Sequence, residues 1–135
     1  MADGFVNHIG IATHSLDKAE ELWSKLGFSS GGDHTNEEQG VKIRFMEGRG
    51  STRIEILQPL NDESPVGRFL SSSGPGVQQI AVNVVDIEST IVELKEIGVR
   101  MVSDEPTVGS DGHRIAFVHP SSSGGVLIEL VESTM

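Results

Sequence analysis

The chain has 135 residues and a formal net charge of −10, from 10 Lys and Arg against 20 Asp and Glu. That length suits one domain with a sizeable core, and the acidity argues against nucleic acid or anionic membrane as partners, because both repel it. Cysteine is absent, which excludes disulfides, thiolate metal sites and thiol catalysis. Met1-Ala2-Asp3-Gly4 lacks the basic and apolar run of a signal peptide, and no apolar stretch reaches spanning length, so a cytoplasmic protein without a membrane partner is expected.

In chain order, a first strand is predicted at residues 5–12, where Phe5, Asn7, Ile9 and Ile11 alternate with Val6, His8, Gly10 and Ala12. Ser15 is placed to cap a helix with the apolar stripe Leu16, Ala19, Leu22, Trp23 and Leu26, and Gly27 to end it. Strands are expected at 28–35, 40–47 and 52–58, the last two around a Gly48–Ser51 turn. A short helix fits Pro65 to Ser72, with Ser64 as its cap. Residues 71–76 read as a linker. Val77–Val84 is then a strand, Asp86 a cap, and Ile87, Ile91, Leu94 and Ile97 a helical stripe stopped by Gly98. Strands are expected at 99–103, 113–119 and 124–131, the last two around Pro120–Gly124. The Glu105–Gly112 stretch reads either as a flap or as a plain connecting loop.

The two halves are similar to each other. At an offset of 71 residues, His8-Ile9-Gly10-Ile11-Ala12 lies over Gln79-Ile80-Ala81-Val82-Asn83, Trp23 over Leu94 and Gly27 over Gly98. At an offset of 74, Arg53-Ile54-Glu55-Ile56-Leu57 lies over Leu127-Ile128-Glu129-Leu130-Val131. Each half reads as a strand, a helix and three strands, the pattern of a duplication. Equivalent positions of two similar sheets facing each other would line one cavity. His8, Gln79, Glu55 and Glu129 hold such positions, and carboxylates inside apolar strands are costly unless paired or bound to a metal. Four N and O donors suit a divalent ion such as Mg²⁺, Mn²⁺, Co²⁺, Ni²⁺ or Zn²⁺. Taken singly, each has a bland reading, as a strand glutamate facing solvent or a satisfied structural histidine.

Longer stretches carry a resemblance. They are Asn7-His8-Ile9-Gly10-Ile11-Ala12, Asn36-Glu37-Glu38-Gln39-Gly40-Val41, residues 54–66 with the block Leu60-Asn61-Asp62-Glu63-Ser64, Asp104-Glu105-Pro106, residues 114–120 ending in His119-Pro120, and residues 125–130. Through them nearly the whole chain resembles the vicinal oxygen chelate superfamily of glyoxalase I, extradiol dioxygenases and antibiotic-resistance binders, and within it the methylmalonyl-CoA epimerases. The resemblance implies an α+β fold of two paired βαβββ modules, at about 1–72 and 73–135 of a single domain, whose curved mixed sheets surround a metal site. It also implies epimerisation at C2 of methylmalonyl-CoA or a close acyl-CoA homologue through an enolate, with His8, Glu55, Gln79 and Glu129 as metal ligands. Glu129 is then one acid/base, and a homodimer is expected.

Two departures from that family stand out. Its usual His-His pair reads Gln78-Gln79 here, and glutamine is a weaker donor than imidazole. Ile43 stands where some epimerases carry a glutamate assigned as the opposing acid/base, so that role passes to Glu55 or, less readily, to Lys42 on the other strand face. Arg44, Arg53, Lys42 and Arg114 are candidates for a basic patch that would receive the substrate's anionic groups. His14, His34, His113 and His119 carry little weight for direct chemistry. The alternatives are a glyoxalase I-like lactoylglutathione lyase and a non-catalytic binding member of the superfamily.

Overall fold

The computed structural model describes residues 2–109 and 111–133; Met1, Ser110 of the expected flap, Thr134 and Met135 lie outside them. Its elements are β1 (Ala2–Ala12), α1 (Leu16–Lys25), β2 (Ser29–Asn36), β3 (Val41–Glu47), β4 (Arg53–Pro59), α2 (Pro65–Ser73), β5 (Gly76–Val84), α3 (Ile87–Glu96), β6 (Thr107–Val108), β7 (Arg114–Val118) and β8 (Leu127–Glu132). They divide into two units. One is His8–Gln78; the other joins the residues up to Asn7 with those from Gln79 onward.

In the first unit the strand order is β2-β3-β4-β1, with β3 antiparallel to its neighbours and β1 parallel to β4. Ser15 caps α1 through its side chain, which accepts from the Lys18 N–H. The helix packs Leu16, Ala19 and Trp23 against Met46, Ile54 and Ile56, with Ile9 and Ile11 of β1 in the same cluster. Trp23 and Phe28 meet edge to face at 5.4 Å, a contact worth about 1 kcal/mol beyond the burial of the rings. The opposite strand face carries Ala12, Val41, Ile43 and Leu57, covered by Val66 and Leu70 of α2. The alternation of β1 therefore divides its side chains as its sequence predicts.

The second unit repeats this plan. Its order β6-β7-β8-β5 matches β2-β3-β4-β1, and β5 runs parallel to β8. Asp86 caps α3 by accepting from the Ser89 N–H, and Ile87 and Ile91 pack on Val84, Ala116, Val118 and Leu130. Gly27 and Gly98, the matched ends of the two helices, have φ of +98° and +89°, a region a side chain would resist. Register proves the repeat more firmly. Glu55 pairs with Gly10 on one side and Phe45 on the other; Glu129 pairs with Ala81 and Phe117. Gly10 and Ala81 are themselves 71 positions apart.

Some expectations change. The predicted strand at 99–103 is reduced to one bridge, Met101 to Val118. Ser103 instead forms a turn with Glu105, and Pro106, which has no N–H, follows. The edge strand is β6, inside the expected flap, and its pairing with β7 makes that stretch a connection anchored to the sheet. The predicted helical stripes are also narrower. Leu22 and Leu26 are 59% exposed and Ile97 is 77% exposed; α1 packs through Leu16, Ala19 and Trp23 and α3 through Ile87, Ile91 and Leu94, and Leu26 and Ile97 are the C-cap residues beyond the helices. His34 lies on β2 opposite Ile43. α2 runs on to Ser73, which shortens the linker to Gly74 and Pro75.

Two arginine clusters fasten helices to strands. Arg44 of β3 donates to Asp17 and Glu20 of α1 at 2.8 Å and to Asp33 of β2 at 2.7 Å. Arg114 of β7 donates to Glu132 and Glu88 at 2.9 Å, and Glu132 also accepts from the Ile87 N–H at the start of α3. The Arg44 guanidinium holds the Asp33 carboxyl below the usual carboxylate range, and Arg114 with the Ile87 N–H does the same for Glu132. A carboxyl lowered in the folded state stabilises fully above its unfolded pKa, about 4, and loses that contribution as pH falls through the folded value. Glu132→Gln is therefore expected to lower the melting temperature at pH 7 and to flatten its decline below about pH 4. An acid limb of unchanged steepness in a melting series would refute this role for Glu132.

Candidate functional site

Strand alternation and pairing build the site residues in two pairs. Across β1 and β4, His8 pairs with Arg53 and Gly10 with Glu55, so all four share the strand face that α2 covers further along. His8 is 4% exposed and Glu55 6%; the imidazole Nδ1 stands 3.3 Å from Glu55 Oε2. Arg53 Nη2 lies 3.4 Å from the same oxygen, and its guanidinium sits 5.8 Å over the Phe45 ring. In the other unit, Gln79, Ala81 and Glu129 share the equivalent face. Glu129 is 8% exposed, and Gln79 Nε2 donates to its Oε1 at 2.7 Å.

The neighbours of the two carboxylates are alike. Each Glu is flanked across one strand by a residue of little or no side chain, Gly10 or Ala81, and across the other by a phenylalanine, Phe45 or Phe117. The small residue leaves room beside the carboxylate, and the ring keeps the wall apolar. Carboxylates this deeply covered demand partners, and an apolar wall strengthens any charge interaction they make.

The four sequence-predicted donors are thus placed as His8 with Glu55 in one unit and Gln79 with Glu129 in the other. No group of three or more His, Asp or Glu suited to an ion occurs among the described residues. The donor chemistry nevertheless fits a hard or borderline divalent ion: one imidazole nitrogen, two buried carboxylates and an amide whose carbonyl oxygen is the ligating end.

Other candidates fall away or acquire other roles. Ile43 is on the site face, opposite Leu57, but buried in the apolar cluster beneath α2. Lys42 points to the other face, with its ammonium 3.9 Å from Asp33. Arg44 and Arg114 are engaged by carboxylates on the helix-packed faces, which removes them from the expected basic patch. His14 and His113 are exposed. His119 caps the short 3-10 turn Pro120–Ser122, where its Nδ1 accepts from the Ser121 N–H at 3.0 Å.

Sequence reasoning missed two features. One is the contact of Arg53 with Glu55 and Phe45, signalled only by the two-residue spacing of Arg53 and Glu55. The other is an amide pair, half-buried Asn7 Nδ2 donating to buried Asn83 Oδ1 at 3.1 Å, with Asn83 on the face of Gln79 and Glu129.

Comparison with known proteins gives consistent results. The Glyoxalase/Bleomycin resistance protein/Dioxygenase superfamily matches residues 7–117. The mitochondrial methylmalonyl-CoA epimerase of Bos taurus is 34% identical over 132 residues, covering 96% of this chain and 75% of that protein. The ethylmalonyl-CoA/methylmalonyl-CoA epimerase of Cereibacter sphaeroides is 35% identical over 130 residues, covering 94% and 96%. Among solved structures, a methylmalonyl-CoA epimerase in complex with methylmalonyl-CoA and NH4+ superposes with a TM-score of 0.86 at 38% identity, covering 96% of this chain and 94% of that one.

Proposed function

Since the chain belongs to the Glyoxalase/Bleomycin resistance protein/Dioxygenase superfamily, we propose that it epimerises methylmalonyl-CoA, or a close homologue, at C2. The observation that carries this reading is the pair of buried glutamates, Glu55 and Glu129. They stand in matched registers, each beside a second donor, His8 or Gln79.

The reaction removes the C2 proton and returns one to the opposite face. Glu129 accepts the proton on a carboxylate oxygen while the C–H electron pair passes into the thioester carbonyl, leaving an enolate. Glu55 is the second carrier in this reading, returning a proton to the other face, since Ile43 has none to give. Phe45 and Phe117, beside the two carboxylates, keep water from competing for the carbanion. His8, Glu55, Gln79 and Glu129 would hold a divalent ion, whose chemistry when bound is to stabilise negative charge developing on the substrate oxygens. A homodimer in the cytoplasm completes the reading. No helix among the described residues is long and apolar enough to cross a membrane.

The deciding experiment is exchange of the C2 proton in deuterated buffer, with methylmalonyl-CoA and longer homologues and with Co²⁺, Mn²⁺, Ni²⁺, Zn²⁺ or Mg²⁺ added to metal-stripped protein. Metal-dependent exchange with one of these esters is expected. No exchange and no metal uptake would sink the proposal in favour of a non-catalytic binder; turnover of a glutathione hemithioacetal alone would favour the lyase.

The ligand set makes a separate prediction. Imidazole is a better donor than a carboxamide for borderline ions, so Gln79→His is expected to hold Co²⁺ or Zn²⁺ at least as tightly as the native chain in a metal titration. Weaker binding would count against Gln79 as a ligand.

A further inference from the structure

The two modules differ where each helix meets the outer strands. In the first module the Arg44 guanidinium fills that place, largely buried and bonded to Asp17 and Glu20 of α1 and to Asp33 of β2. The registers give the equivalents in the second. Phe45 pairs with Glu55 as Phe117 pairs with Glu129, so Ala116 stands for Arg44. His34 pairs with Ile43 as Thr107 pairs with Ile115, so Pro106 stands for Asp33. The helix offset of 71 puts Glu88 in the place of Asp17 and Ile91 in that of Glu20. Three of the four charged groups have become apolar or small, and the arginine that plugs the first module has no counterpart.

A groove of about 410 Å³ opens there, between α3 and the segment before β6, a volume in the range of small-ligand sites. Ile91, Val92 and Pro106 give it an apolar lining, and three carboxylates against two cations give it its charge. Glu88 is taken up by Arg114 at 2.9 Å and Asp104 by Lys95 at 2.6 Å. The exposed Glu105 carboxylate has no ion-pair or hydrogen-bond partner among the described residues. Apolar walls strengthen the attraction of that charge for a cation, and the net charge of −10 favours cations over anions at this surface. We propose that this groove binds a small cation on a short alkyl stem, an alkylguanidinium or alkylammonium. The stem lies along Ile91, Val92 and Pro106, and the cation meets Glu105. The second module thus takes from solution the kind of group that the first supplies from its own chain. Arg114 and Ala116 belong to the strand face opposite Phe117, so this site is separate from the glutamate face and independent of the epimerase reading.

The test is a titration of isotope-labelled protein with butylguanidinium, and with pentanoate as an anion of similar length, followed by amide NMR shifts at low salt. Butylguanidinium is expected to bind with a Kd of about 1 mM. It should shift Ile91, Val92, Lys95 and Glu105 and weaken as salt is raised, whereas pentanoate should shift none of them. Glu105→Gln should weaken binding about three- to fivefold, and Glu105→Lys should remove it. Ala116→Arg, which puts the first module's plug into the second, should remove it too; if that variant does not fold, the exposed Glu105 variants still decide. Tighter binding of pentanoate would overturn the assignment by making Lys95 the anchor. Unchanged butylguanidinium affinity in Glu105→Lys would also overturn it. So would concentration-dependent shifts of Val92 and Glu105 in protein without either probe, which would give the groove to a second copy of the chain.

Discussion

Glu129→Gln is expected to lower C2 proton exchange by about a thousandfold, the range of a lost general acid/base, with little effect on folding. The substitution is chosen because it keeps the side chain's shape and its bond to Gln79. Gln79 Nε2 donates to Glu129 Oε1 at 2.7 Å, and a glutamine at 129 offers a carbonyl oxygen that accepts the same bond. Shape and volume are kept, so the packing beside Phe117 and Ala81 is undisturbed. What disappears is the negative charge and the capacity to take a proton. An amide also remains a donor of the kind the chain already uses at Gln79, so metal uptake should weaken without vanishing, and uptake measured on the same sample separates the two losses. A variant that keeps more than about a tenth of the native exchange rate with metal bound would show that another group carries the proton. Glu55→Gln is the control for the opposing carrier: if two carboxylates serve the two faces, each variant should be blocked in removing the proton from one epimer first.

The residues that made the site legible are those in which local pattern and tertiary placement coincide. Glu55 and Glu129 stand in apolar strands, and their match across the repeat follows from two parallel pairings, β1 with β4 and β5 with β8, that share one register. His8 and Glu55 share one face because β1 and β4 pair in register without a bulge, which alternation within either strand alone does not decide. The basic patch failed for the opposite reason. Arg44 and Arg114 look in sequence like Arg53, each a cation in a strand, and only the positions of Asp17, Glu20, Glu88 and Glu132 reveal that they are taken up on the helix side. Val99, Met101 and Val102 read as a strand because they are apolar and follow a helix stop. The turn at Ser103–Glu105 and Pro106 leave only Met101 paired. Leu22, Leu26 and Ile97 read as core because periodicity counts every apolar position on a stripe, whereas the packed positions are Leu16, Ala19 and Trp23 in α1 and Ile87, Ile91 and Leu94 in α3.

Gly67→Ala is expected to cost about 3 kcal/mol or more and to lower the melting temperature by roughly 10 °C. A Cβ on Gly67 would stand 2.3 Å from the carbonyl oxygen of Asn61 and 2.8 Å from the backbone carbon of Asp62. Neither is a flexible side chain that could swing aside. The turn it would strike is itself tightly held. Asn61 Oδ1 accepts from the N–H groups of Glu63 and Ser64, Ser64 Oγ donates to Asn61 O, and the Gly67 N–H donates to Ser64 Oγ. Gly40 closes the other side, where a Cβ would meet that of Ser64 at 2.8 Å. The block Leu60-Asn61-Asp62-Glu63-Ser64, which carries much of the resemblance to the epimerases, thus acts here as the N-terminal lock of α2. That helix sets Val66 and Leu70 on Val41, Ile43 and Leu57, two residues along the strand from Glu55. Loosening the lock should therefore lower thermal stability and leave KM for methylmalonyl-CoA within a few-fold at temperatures where the variant is folded. Asn61→Ala and Ser64→Ala should do the same more mildly, at about 1 kcal/mol each. If Asn61→Ala instead raised KM tenfold at unchanged melting temperature, the block would be contacting substrate rather than capping the helix. If Gly67→Ala melted with the native chain, the close approach of α2 to the turn would be refuted.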